Sequence, residues 1–162
     1  MPGVKSVLFL CTGNSARSIL AEAILNSRGA GRFRGYSAGS HPTGTINPVA
    51  VDTLARMGLS VEGLRSKSWD EFGGPGAPVF DFIITVCDAA AGEICPVWPG
   101  HPTTAHWGVP DPAAVAGDTE RAQAFRDAYA ALGRRIDRFL ELPIATLDPD
   151  ALQEQVQASA KD

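Results

Sequence analysis

Several things are scarce in this sequence, and each scarcity removes a class of protein. Cysteine occurs three times, at Cys11, Cys87 and Cys95. An odd, small number with no export signal argues against a disulfide-stapled secreted scaffold, and leaves either inert core thiols or working ones. Positive charge has no surplus: 14 Lys and Arg face 18 Asp and Glu. No long basic block overturns that balance, so no nucleic-acid partner is expected and any anionic ligand must be held locally. Long apolar runs are missing. The opening MPGVKSVLFL holds a four-residue apolar stretch, too short for a signal-peptide core, and nothing later approaches a membrane span. The expectation is a cytoplasmic protein with no membrane partner. His41, His101 and His106 are scattered and make no zinc set, so no metal catalysis is expected. Internal repeats and low-complexity segments are also lacking.

What is present suffices for one core. A chain of 162 residues with 44% hydrophobic content is long enough for one buried domain and too short for two. Val4 to Leu10 reads as a continuous apolar strand buried on both faces, followed by a helix from Ser18 to Arg28. Phe33 to Ser37 reads as a second strand, ending in the loop SAGSHPTGTINP. Asn47 is placed as an N-cap with Pro48 at the first helical position, and the helix runs to Met57 before Gly58. A short helix or turn is expected over 66 to 72. Asp81 to Val86 is a third buried strand that delivers Cys87 at its end, Thr104 to Trp107 a fourth, and Thr119 to Leu142 a long amphipathic helix. Such alternation predicts an α/β fold, a four-stranded parallel sheet flanked by helices with right-handed crossovers. It is assigned to residues 1–145. Residues 146–162 form a polar tail with little to bury, a loosely attached short helix at most.

The turn after the first strand carries the chemistry. In VLFLCTGNSARSILAEA, Gly13 relaxes the backbone, and the amides of Thr12, Gly13, Asn14, Ser15, Ala16, Arg17 and Ser18 are placed to form an anion nest at a helix N-terminus. Arg17 adds a planar, permanently charged, bidentate donor suited to phosphate or arsenate. Cys11 would lie at the floor of that cradle. Inward amides, a helix dipole and a guanidinium all favour its thiolate, and a thiolate beneath an oxyanion is placed to attack it. The bland alternative makes Cys11 a strand-end hydrophobe and Arg17 a surface residue. Arg17 counts against it, since a cation near a helix N-terminus is unfavourable unless an anion sits between them.

This stretch resembles the P-loop of the low-molecular-weight protein tyrosine phosphatase family, and more closely that of its arsenate reductase branch. The resemblance covers the chain up to about Leu142 and implies the loop-bearing fold described above. It makes Cys11 the nucleophile and Arg17 the oxyanion clamp, with Asn14 and Ser18 ordering the loop. It makes Asp111, in the Asp111-Pro112 pair of HWGVPDPAA, the general acid. Phosphate and sulfate would act as oxyanion mimics.

The two branches differ in what the other thiols do. Phosphotyrosine hydrolysis needs one cysteine, whereas reduction of arsenate to arsenite draws two electrons from thiols. Cys87 and Cys11 both end predicted parallel strands. Neighbouring strands lie about 4.8 Å apart, within the Cα separations of about 4.4 to 6.8 Å that a disulfide spans. The resemblance implies that Cys87 resolves the Cys11 adduct and that Cys95 completes an intramolecular disulfide cascade. Thioredoxin would then supply reducing equivalents, with glutaredoxin or a small thiol as alternatives. No tightly bound cofactor is implied, apart from a potassium ion with matching positions at Asn14, Glu22, Ser37 and Asp70. Departures are Ala16, where the family often has a second loop cysteine, and seven residues between Cys87 and Cys95, one more than in the better-known form. Ala113 and Ala114 replace the tyrosines that grip aromatic substrates in the phosphatases. The expected function is therefore arsenate reduction, contributing to arsenic detoxification. A phosphomonoester phosphatase and a non-catalytic oxyanion or redox sensor remain as alternatives.

Overall fold

The structure is a computed structural model describing residues 4–73, 76–87 and 102–160. Its elements in chain order are β1 (Lys5–Leu10), α1 (Arg17–Arg28), β2 (Phe33–Ala38), α2 (Pro48–Arg56), β3 (Phe82–Thr85), β4 (Thr103–His106), α3 (Asp118–Leu140) and α4 (Pro149–Ala158). Short 3₁₀ turns lie at Trp69–Phe72, Pro112–Ala114 and Ile144–Thr146. The four strands form one parallel sheet in the order β2-β1-β3-β4. No described helix is long and apolar enough to cross a membrane.

The continuous apolar run of β1 puts it in the middle of the sheet. Val7 and Phe9 face the main core, with Ile19, Leu20, Ile24, Phe82, Ile84, Trp107, Leu132, Ile136 and Phe139. Leu8 and Leu10 face a smaller cluster with Phe80 and Ile83, against which Tyr36, Trp69 and Phe72 pack. Each such buried side chain contributes about 1.5 to 3 kcal/mol by leaving water. Burial on both faces makes the strand ends rigid, and the site stands on them. Asn47 caps α2 as expected, its side chain accepting from the Val49 N–H at 2.9 Å with Pro48 next.

The C-terminal tail departs from expectation: α4 is docked, not loosely attached. Trp107 is fully buried and donates its indole N–H to the Val156 carbonyl at 2.9 Å. Arg138 donates from Nε and Nη2 to the Ser159 carbonyl. The sheet edge explains why a polar helix belongs here. Thr103 in β4 and Trp107 just past it donate inward to the Asp81 and Thr85 carbonyls, so Thr104 and His106 turn their peptide groups to the open edge. Gln153 accepts from Thr104 N–H and donates to its carbonyl, and Gln157 does the same for His106. Two residues of strand advance about 6.6 Å, and four of helix about 6 Å. Two carboxamides on one helix face thus match the peptide spacing and cover an edge that would otherwise template pairing with another chain.

Replacing both Gln153 and Gln157 by alanine removes four such bonds. The expected loss is about 2 to 4 kcal/mol of unfolding free energy, read by urea denaturation. Truncation after Ala145 is expected to produce self-association, measured by light scattering; a monodisperse monomer would show that the edge needs no cover.

Candidate active site

The loop between β1 and α1 is shaped from outside. The Thr12 carbonyl accepts from His41 N–H, Gly13 from Thr43 N–H and Ser15 from Asn47 N–H, at 3.0, 3.0 and 2.9 Å; Ser66 Oγ donates to the Gly13 carbonyl at 3.2 Å. A trans peptide sets its N–H opposite its carbonyl, and no described peptide is cis. The amides of Gly13, Asn14 and Ala16 therefore face the inner side of the loop, and Gly13 N–H bonds the Cys11 sulfur. Helix α1 begins at Arg17 with no side-chain cap and no acid in its first turn. These donors together form an anion nest.

The turn itself is made by an unexpected residue. Asn14, not Gly13, takes the left-handed conformation, with φ of 44°. Asparagine tolerates it because its short amide bonds locally. Here Nδ2 donates to Ser18 Oγ at 2.8 Å and Oδ1 accepts from Lys67 N–H at 2.8 Å, with Asn14 and Ser18 fully buried. A Cβ at Gly39 would overlap the carbonyl oxygens of Cys11 and Thr12, so glycine is required where β2 passes beneath the loop.

Arg17 and Asp111 meet at the rim. Arg17 Nη1 donates to the Val109 carbonyl at 2.9 Å, and Nη2 lies 3.9 Å from Asp111 Oδ2. Arg17 Nε is buried with no hydrogen-bond partner among the described residues, as expected of a donor reserved for an oxyanion. Asp111 Oδ1 accepts from Ala113 N–H at 3.0 Å, fixing the carboxyl at the head of a 3₁₀ turn. A second arginine, absent from the sequence reading, braces the same loop. Arg135 is buried in α3 and donates Nη1 to the carbonyls of Trp107 and Gly108 at 3.0 and 2.9 Å. Its signal was available: Ala128, Leu132, Arg135 and Phe139 form one buried stripe, and a charge at an apolar position calls for a partner.

Cys11 and Cys87 lie together under the loop, both buried. Thr12 N–H points at Cys87 Sγ, 3.4 Å away. The Cys87 thiol bonding Cys11, followed by burial, pushes the Cys11 thiol well up, against the opposing pull of Arg17 and the Gly13 N–H. The amides and the guanidinium alone would depress it, as expected from the sequence; the second thiol beside Cys11 acts the other way. Cys95 lies outside the described residues.

The four residues matched to potassium do not fit a cation as a set. Ser37 Oγ donates to Glu22 Oε1 at 2.5 Å, and the Lys67 ammonium is 4.0 Å from the same oxygen. Asn14 Oδ1 is engaged by Lys67 N–H, and Asp70 is exposed on the Trp69–Phe72 turn. Burial pushes the Glu22 carboxyl up while Ser37 and Lys67 pull it down; burial likewise lowers Lys67. Among the described residues no group of three His, Cys, Asp or Glu forms a metal site.

Known proteins share this arrangement of elements. Residues 6–158 match the low molecular weight phosphotyrosine protein phosphatase model. The arsenate reductase of Halalkalibacterium halodurans is 36% identical over 138 residues, 85% of this chain and 96% of that protein. That of Bacillus licheniformis is 37% identical over 138 residues, with the same 85% and 96% coverage. The crystal structure of an arsenate reductase from Archaeoglobus fulgidus superposes with a TM-score of 0.65 at 28% identity, covering 84% of this chain and 99% of that one. With a family match over almost its whole length and relatives above 30% identity, the chain belongs to the low molecular weight phosphotyrosine protein phosphatase family.

Proposed function

We propose that this protein is an arsenate reductase. The observation that carries the reading is the second buried thiol, Cys87, in contact with Cys11 beneath an anion nest. Hydrolysis of a phosphomonoester has no use for it, whereas a two-electron reduction draws on a second thiol, and Cys87 is in place to be that thiol. The curated relatives named above support the same substrate. Arsenate binds to the loop amides and Arg17, the Cys11 thiol passes its proton to an arsenate oxygen, and its sulfur bonds to arsenic while an As–O bond breaks. Asp111, beside Arg17 at the rim, supplies the proton with which that oxygen leaves as water. The Cys87 thiolate then attacks the Cys11 sulfur. An S–S bond forms, the S–As bond breaks, its electron pair stays on arsenic, and arsenite departs. Cys95 attacks Cys87, releases Cys11 and leaves a Cys87–Cys95 disulfide for a thioredoxin-type dithiol to reduce. A reducing compartment such as cytoplasm suits these thiols.

Arsenate-dependent NADPH oxidation, coupled through thioredoxin and thioredoxin reductase, tests the sequence of steps. Turnover is expected for the wild type and loss for each of Cys11→Ser, Cys87→Ser and Cys95→Ser. Hydrolysis of a phosphomonoester without arsenate turnover, abolished only by Cys11→Ser, would establish the phosphatase instead. Oxyanion binding with neither reaction would leave a sensor.

The thiol contact makes its own prediction. Cys87→Ala removes the largest upward influence on Cys11 and leaves Arg17 and the Gly13 N–H. The pH profile of Cys11 alkylation by iodoacetamide should move to lower pH, with the rate below the midpoint rising about tenfold for each unit of movement. An unmoved profile would mean that Cys87 does not control the nucleophile.

A further inference from the structure

The Glu22–Lys67 pair lies behind the nest and takes no part in the chemistry above. Glu22, on α1, and Lys67, on the segment entering the 3₁₀ turn, have side chains only 13% and 8% exposed. Glu22 Oε1 meets the Ser37 hydroxyl and the Lys67 ammonium, with Arg34 and Arg65 adding positive field from β2 and the same segment. Lys67 Nζ is also tied to the Arg65 carbonyl at 2.8 Å. The backbone of Lys67 joins the nest to the chain beneath it: its N–H bonds Asn14, the left-handed residue, and its carbonyl accepts from Gly39 N–H, just past β2, at 3.0 Å. Ser66 beside it holds the Gly13 carbonyl. One residue therefore couples a buried countercharge to the turn that points the amides inward.

We propose that Lys67 is a built-in cation for the oxyanion loop, its ammonium occupying the place where a solution monovalent cation would neutralise Glu22. Lys67 is a positioning residue, acting on the bound anion through Asn14 and Gly13. This deepens the arsenate reductase reading and rests on its oxyanion loop, though not on the redox steps. With the ammonium present, Glu22 has its countercharge, and Asn14 Oδ1 is already taken by the Lys67 backbone N–H, so an added cation has nothing left to supply. Without it, Glu22 is a buried carboxylate in need of one. A cavity of about 610 Å³ lined by Glu22, Asn26, Arg34, Tyr36, Arg65 and Lys67, among others, gives small ions access.

The test uses inorganic phosphate as probe, its binding measured by calorimetry at constant ionic strength in potassium, ammonium or tetramethylammonium chloride. Wild type should bind phosphate equally in all three. Lys67→Met should bind about tenfold more weakly in tetramethylammonium and regain affinity in potassium or ammonium. Lys67→Arg should stay close to wild type, and Glu22→Gln/Lys67→Met should show no cation response. If Lys67→Met does not fold, Lys67→Gln takes its place in the same titration. Wild-type binding that depends on potassium, a variant that binds like wild type, or a loss that no small cation restores would each overturn the proposal. Because no turnover is measured, a protein that binds phosphate but reduces no arsenate leaves the proposal standing. A wild type that binds no phosphate removes the oxyanion loop and the proposal together.

Discussion

Parallel N–H dipoles crowded around one point repel each other, and the loop from Thr12 to Ala16 holds several in that state. It does so because each outward carbonyl is taken by a partner from elsewhere, by His41, Thr43, Asn47 and Ser66. Helix α1 adds its own positive end. Helix α2 is capped by Asn47, α3 begins with Asp118 and Glu120, and α4 is capped by Asp148 with Asp150 behind it. Among the described α-helices, α1 is the one with neither a side-chain cap nor an acid in its first turn, and it begins with a cation. A helix end built this way is short of negative charge, and a bound oxyanion supplies it.

The same shortage bears on the nucleophile. A lone thiol in this nest would ionise readily, as Arg17 and the Gly13 N–H favour the thiolate. The contact with Cys87, together with burial, works against them and pushes the Cys11 thiol up. A hydrolase gains nothing from that arrangement, since it lowers the population of attacking thiolate. A reductase accepts the handicap because the second sulfur must later lie within bonding reach of the first. The proximity that raises the Cys11 thiol is the proximity that lets a disulfide form.

Features written in short stretches were legible in the sequence. The apolar β1, the loop CTGNSAR, the Asn47-Pro48 helix start, Cys87 at a strand end and the presence of four parallel strands follow from local periodicity and turn chemistry. Features set by partners far along the chain were not. That Asn14 rather than Gly13 takes the left-handed turn depends on Lys67, 53 residues away. That Asp70 is exposed while Lys67 faces Glu22 depends on how the segment after Arg65 runs behind the loop. The tail was misread for a different reason: a count of apolar residues treats Gln153 and Gln157 as solvent-facing. Their carboxamides carry a donor and an acceptor in the geometry of a peptide group, and so bury against a strand edge that apolar side chains would leave unsatisfied.

That edge cover connects to the thiols through the sheet. Cys11 follows β1 and Cys87 follows β3, paired in the register Leu10 with Thr85, with Val86 N–H donating to the Leu10 carbonyl at 2.9 Å. The far side of β3 pairs with β4, and β4 is closed by the glutamines of α4. Strand β3 is therefore fixed on both flanks, by the strand that carries the nucleophile and by the strand that α4 holds. A resolving thiol has to meet its target sulfur at disulfide geometry, which tolerates little error in Cα separation, and a strand clamped on both sides supplies that accuracy. In the proposed disulfide step, the C-terminal helix, remote from the oxyanion in sequence, would hold still the frame in which the two sulfurs meet.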